Sequence, residues 1–252
     1  MIDCLKQENF KFWHQHLPFY GMAALALFML ETAISGPIKP RIIAQGFGLG
    51  QWVILIMITI SPTFLALEYK NNTIITLFYK NSNKKNIYCA KFLLTFSYGL
   101  LLDAGGFIFT LGLKSLFVGD KYSWTIIYEN TQDLITTLLL NIGGSIVYLL
   151  FIIALCFFLF TLIKVNVAVI GIGIALGFLG ASFSQLLMDS FPHYQNLLKW
   201  NPLNMINIIN QLPQVNYAQH SALENSQLLL AVLIYTLIFL GLGYQFFQNH
   251  KV

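Results

Sequence analysis

Six apolar stretches, each close to the thickness of a lipid bilayer, dictate what this chain can become. They cover residues 17–34, 51–67, 92–113, 135–163, 167–187 and 228–247. About 20 apolar residues in a helix cross the hydrocarbon core. In lipid no water is present to satisfy backbone N–H and C=O groups, so each stretch must be helical. The fourth is long enough to tilt or project beyond the bilayer. Only Lys164, Val165 and Asn166 separate it from the fifth. A single helix over both would be about twice the length a bilayer needs, so a turn is expected there. With 57% hydrophobic and only 10% charged residues, the chain holds far more apolar side chains than a soluble domain uses. The expected fold class is an all-α membrane protein with six transmembrane helices.

The cations set the orientation. With both termini in the cytoplasm, the inner segments hold nine: Lys6, Lys11, Lys70, Lys80, Lys84, Lys85, Lys91, Lys164 and Lys251. The outer segments hold five: Lys39, Arg41, Lys114, Lys121 and Lys199. That excess favours the arrangement, and it explains the net charge of +4 without nucleic acid. A single arginine and frequent Asn and Ile suggest an AT-rich bacterial genome, hence a bacterial plasma membrane. Cys4, Cys89 and Cys156 fall inside or within a span, so no disulfide framework is expected. No small-residue cleavage site follows the first apolar run, so no removable signal peptide is expected.

Two further segments read as helical without spanning. In residues 1–16, Phe10, Trp13 and Leu17 recur at helical spacing with Lys6, Glu8 and Lys11 elsewhere, which suits a helix lying in the interface plane. Residues 188–227 are long for a connection and also repeat apolar residues at helical spacing, so they should pack on the outer edge or dip back into the protein. Pro202 disfavours a helical Asn201 and breaks that segment.

Residues 68–91, EYKNNTIITLFYKNSNKKNIYCAK, form the one long cationic run between spans: Lys70, Lys80, Lys84, Lys85 and Lys91 against Glu68. Asn71, Asn72 and Thr73 are good N-cap types ahead of Ile74, Ile75, Leu77 and Phe78, so a short amphipathic helix at the cytoplasmic surface is expected. Glu68, Thr73, Leu77 with Phe78, Lys84 with Lys85, and Lys91 match, without a gap, the signature of ABC-2 type transporter permeases, which the chain resembles. Asn72 stands where Gly is usual and Asn81 where Pro is usual. The Glu8-Asn-Phe-Lys11-Phe pattern resembles the start of many such permeases, and Trp200-Asn201-Pro202 resembles the break between their fifth and sixth helices.

The resemblance implies a single transmembrane domain over residues 1–252, with 1–16 interfacial, 68–91 coupling and 188–227 re-entrant. It implies a permease subunit of an ATP-driven exporter, working with a second permease copy or a related permease and two copies of a separate ABC ATPase. No Walker A sequence is present, so ATP and Mg would sit on that ATPase and the chain itself would carry no cofactor. ATPase coupling would fall to Glu68, Thr73, Leu77, Phe78, Lys84, Lys85, Lys91, Lys164 and Asn166. Small size and the lack of a large outer domain resemble permeases of lantibiotic and bacteriocin immunity and bacitracin resistance, implying an amphipathic antimicrobial peptide as substrate.

No catalytic or metal constellation emerges: there is no H-E-x-x-H or G-x-S-x-G. His14 and His16, two apart, do not share a helix face. Gly46-Phe-Gly48-Leu-Gly50 lacks a following G-K-[ST] and reads as a turn. Asp103 lies within the third span, where an acid is costly and faces protein or water. It either belongs to a substrate path, together with Glu31 near the outer end of the first span, or is hydrogen-bonded to a neighbouring helix group such as Asn141. The alternative function is an ion-gradient-driven six-helix transporter or channel without an ATPase, which predicts ionisable residues through several spans.

Overall fold

A computed structural model of the protein describes residues 2–70, 84–128 and 132–248. Among the described residues, six helices are long and apolar enough to cross a membrane: α2 (Leu17–Ile34), α4 (Leu49–Lys70), α5 (Lys84–Phe117), α6 (Leu134–Ile163), α7 (Asn166–Ser190) and α11 (Asn225–Gln248). The chain is an all-α membrane protein of the multi-pass kind. The remaining helices are short or lie at the ends of the bundle: α1 (Ile2–Trp13), α3 (Pro40–Ala44), α8 (Gln195–Leu198), α9 (Ile208–Gln211) and α10 (Ala218–Ser221). Two short antiparallel strands, β1 (Ile127–Tyr128) and β2 (Gln132–Asp133), pair just before α6.

Helices α4 and α6 form the centre. Each has 61% of its most apolar window buried within the protein, against 28% for α2, α7 and α11, whose apolar faces are left for lipid. Helix α6 lies against α11 on one side and α4 on the other, and α4 also touches α2, α5 and α7. The turn at residues 164–166 forms as its sequence requires: Lys164 closes α6 in the left-handed region at φ 59°, and α7 begins at once. The third span begins at Lys84, well before the apolar run at residue 92. The polar residues 84–91 stay helical because they pack on protein: Ile87, Tyr88, Ala90 and Lys91 are all buried.

The 188–227 connection is folded and packs against the spanning helices. Asn201 is extended (φ −62°, ψ 148°) ahead of Pro202, and its side chain accepts from the Asn204 N–H, capping the turn Pro202–Asn207. A buried amide network ties the rest together. Asn204 Nδ2 donates to Ser221 O at 2.8 Å, Gln211 Nε2 donates to Leu223 O at 2.7 Å, and Ser221 Oγ donates to Gln211 Oε1 at 2.5 Å. Helix α9 lies on α6 where Gly144 leaves no room for a side chain: an added Cβ would stand 2.8 Å from Ile208 O and 2.9 Å from Ile209 Cα. Both neighbours are backbone and cannot turn aside. Gly144→Val is therefore expected to push α9 off α6, destabilising the protein by about 1–3 kcal/mol. Faster protease cleavage between residues 195 and 221 would report it, and unchanged cleavage would show that α9 is not held there.

Candidate functional site

A largely buried cluster of charged side chains lies at the end of the bundle that carries α1. Three separate segments meet there: α1, the last turns of α4 and the first turns of α5. Helix α1 buries Cys4, Glu8 and Phe12, a stripe at i, i+4 and i+8, while Phe10 is 64% exposed. The stripe that packs on protein is thus a different face of α1 from the one drawn by Phe10, Trp13 and Leu17. The reason is that Phe12 finds aromatic partners, edge-on to Phe64 and Tyr98 at 5.0 and 5.1 Å, while Glu8 finds a buried cation. Tyr98 completes the corner by donating its hydroxyl to Pro18 O at 2.7 Å, close to where Gly21 lets α2 approach α5.

That cation is Lys91. Its Nζ stands 2.6 Å from Glu8 Oε2 and 3.3 Å from Glu68 Oε1. Lys11 closes the ring, 3.1 Å from Glu8 Oε1 and 3.0 Å from Glu68 Oε1. Two acids and two bases alternate, so the quartet is neutral as a whole. Glu8 and Lys91 are each 1% exposed and Glu68 7%. Lys91 Nζ also lies 4.1 Å from the centre of the Phe64 ring, a favourable placement for a desolvated cation. Burying such charges is costly unless each is paired, and the alternation supplies that pairing. Burial works against the Lys11 ammonium, but the hydrogen bond and charge of Glu68 and the charge of Glu8 outweigh it, so its pKa stands above the ordinary lysine value. The stability this pairing adds is complete below pH 10.5 and is lost only as pH rises through the higher folded value.

Geometrically the quartet is a fastening. Glu68 and Lys91 sit at the two ends of the cationic run 68–91, and both are clamped to α1 and to each other. Thr73, Leu77 and Phe78 lie outside the described residues. Lys84 donates to Gln248 O at 2.9 Å, joining the start of α5 to the end of α11. Asn166 donates to Thr63 Oγ1 at 3.0 Å, holding the turn after α6 against α4. Lys85 is exposed. The sequence placed Glu68 and Lys91 at this site, and Glu8 and Lys11 were visible as a pattern. Their convergence on one point was not, because nothing in the spacing of residues 8, 11, 68 and 91 brings three segments together.

The two acids assigned to a substrate path are engaged separately. Glu31 is exposed and accepts from Ser35 Oγ at 2.8 Å, a local contact at the end of α2. Asp103 is 1% exposed and accepts from Ser145 Oγ of α6 at 3.4 Å. Its partner is Ser145 and not Asn141, one turn away, whose amide donates to Ala44 O at 2.9 Å and Thr137 O at 3.1 Å. The preference has a geometric cause: Gly46, Phe47 and Gly48 all adopt positive φ, and this tight turn brings the end of α3 to Asn141.

Against known proteins, the chain matches no family model and has no significant similarity to a curated protein. Its residues and their geometry carry the functional reading.

Proposed function

We propose that the protein is the permease subunit of an ATP-driven exporter of the ABC-2 type, in a bacterial plasma membrane with both termini cytoplasmic. In this reading α1 lies along the inner surface, residues 188–227 re-enter from the outside, and two copies of a separate ATPase bind beneath. The chain pairs with a second copy or a related permease. The substrate class is an amphipathic antimicrobial peptide, moved out of the membrane for immunity or resistance.

The observation that carries the reading is the Glu8–Lys11–Glu68–Lys91 quartet. Residues from two stretches that resemble ABC-2 permeases, far apart in sequence, meet in one buried cluster at the root of the proposed coupling segment. A cluster so placed passes force: motion of residues 69–90, driven by closure of the ATPases, is delivered through Glu68 and Lys91 to α1, α4 and α5 together. A gradient-driven transporter needs no such root, and Asp103 is the one acid deep within a span.

Affinity purification of the unmodified chain from its native membrane tests this. An ATPase with Walker motifs is expected to co-purify, and export in inverted vesicles should depend on ATP and survive ionophores. Recovery without an ATPase, with transport abolished by ionophores, would replace this reading with the gradient-driven one.

A further inference from the structure

At the end of the bundle opposite the charge quartet, a cleft of about 160 Å³ opens between the first turns of α4, the second half of α7 and residues 206–210. A smaller space between the turn at residues 45–50, α6 and α9 continues it, sharing Gln51, Ile209 and Asn210. Five carboxamides line the two: Gln45, Gln51, Asn141, Asn207 and Asn210, with Phe178 on the apolar side. No charged residue lines either space. Asn141 and Asn207 already donate to protein acceptors. Among the described residues, the side chains of Gln45, Gln51 and Asn210 make no hydrogen bond within the protein.

We infer that this cleft binds the main chain of the transported peptide, an uncharged hydrogen-bonding ligand held by Gln51 and Asn210 against the Phe178 wall. A carboxamide presents one acceptor and two donors, so it matches a peptide group, which offers one of each, better than it matches an ammonium or a carboxylate. The absence of any acid in the lining means that cationic side chains are not selected here, which leaves Asp103 and Glu31 outside the contact. Ligand pockets for whole small molecules usually start at about 300 Å³. The cleft is smaller and takes one or two residues of a longer chain. The choice of a peptide rests on the exporter reading, but binding to the cleft needs no ATPase and is measurable on the isolated chain.

The test uses the full-length protein in lipid nanodiscs, with Cys4, Cys89 and Cys156 replaced by alanine and Ala181→Cys as a reporter in the cleft wall. The readout is the rate at which a methanethiosulfonate reagent modifies that cysteine. The probes are N-acetyl-dileucine amide, its ester analogue lacking the central N–H, and octyl glucoside. The dipeptide is expected to slow modification about tenfold more than the ester does, the effect of losing one or two hydrogen bonds. Gln51→Leu and Asn210→Leu should each remove the difference between dipeptide and ester, with every variant compared against its own rate without probe. Equal protection by dipeptide and ester, protection by the glucoside alone, or no protection would overturn the inference. Each of those results leaves ATPase co-purification free to judge the exporter reading separately.

Discussion

Lys91→Met is expected to lower the apparent melting temperature of the detergent-solubilised protein by roughly 6 to 20 °C, following a loss of about 3–5 kcal/mol. Methionine keeps most of the side-chain volume beside Phe64 but leaves Glu8 and Glu68 sharing Lys11, whose side chain is 39% exposed. An uncompensated buried carboxylate is the costly species, not the missing contact. The double variant Lys91→Met with Glu8→Gln restores the charge balance, so much of the loss should return, with a coupling of about 0.5–3 kcal/mol between the two sites. Lys11→Met, at the half-exposed corner, should cost less than Lys91→Met. A Lys91→Met protein that melts like the unmodified one would show that the quartet does not hold α1 to the bundle, and the force path proposed through it would go with it.

Leu77→Asp combined with Phe78→Asp should leave the protein inserted in the membrane and abolish recovery of the ATPase and transport. Burying each of these side chains in a partner groove is worth about 1.5–3 kcal/mol. Together that is about 3–6 kcal/mol, or a factor of roughly 10² to 10⁴ in affinity. The ends of their segment are clamped by Glu68 and Lys91, so the variant should not unseat the segment's roots, and the melting temperature should stay near that of the unmodified protein. This separates it from Lys91→Met, which strikes the root itself. An ATPase that still co-purifies with the double variant would mean that coupling does not run through Leu77 and Phe78.

The locations of the six spans were legible in the sequence because lipid imposes a local rule. Every backbone group in hydrocarbon must be satisfied within its own helix, so length and hydropathy suffice, and even the short turn at Lys164 and Val165 could be placed. The tight turn at Gly46–Gly48 and the break at Asn201–Pro202 were legible for the same reason, since both depend on neighbouring residues alone. Helix ends were less so: α5 begins at Lys84, where polar residues remain helical only because other segments cover them.

What the sequence could not determine is which faces meet. The apolar periodicity of residues 1–16 pointed to an interfacial face at Phe10, Trp13 and Leu17, and nothing in it marked Glu8 as a residue that α1 buries against protein. Hydropathy counts an acid as a solvent-facing residue, whereas here Lys91, 83 positions away in the numbering, neutralises it. Asp103 likewise pairs with Ser145 and not Asn141, because a turn elsewhere claims the Asn141 amide. Composition and periodicity by themselves determined an all-α membrane protein with six spans. Only the tertiary structure decided that Glu8, Lys11, Glu68 and Lys91 form one neutral cluster, because compensation of buried charge is a property of contacts between segments and leaves no periodic trace within any one of them.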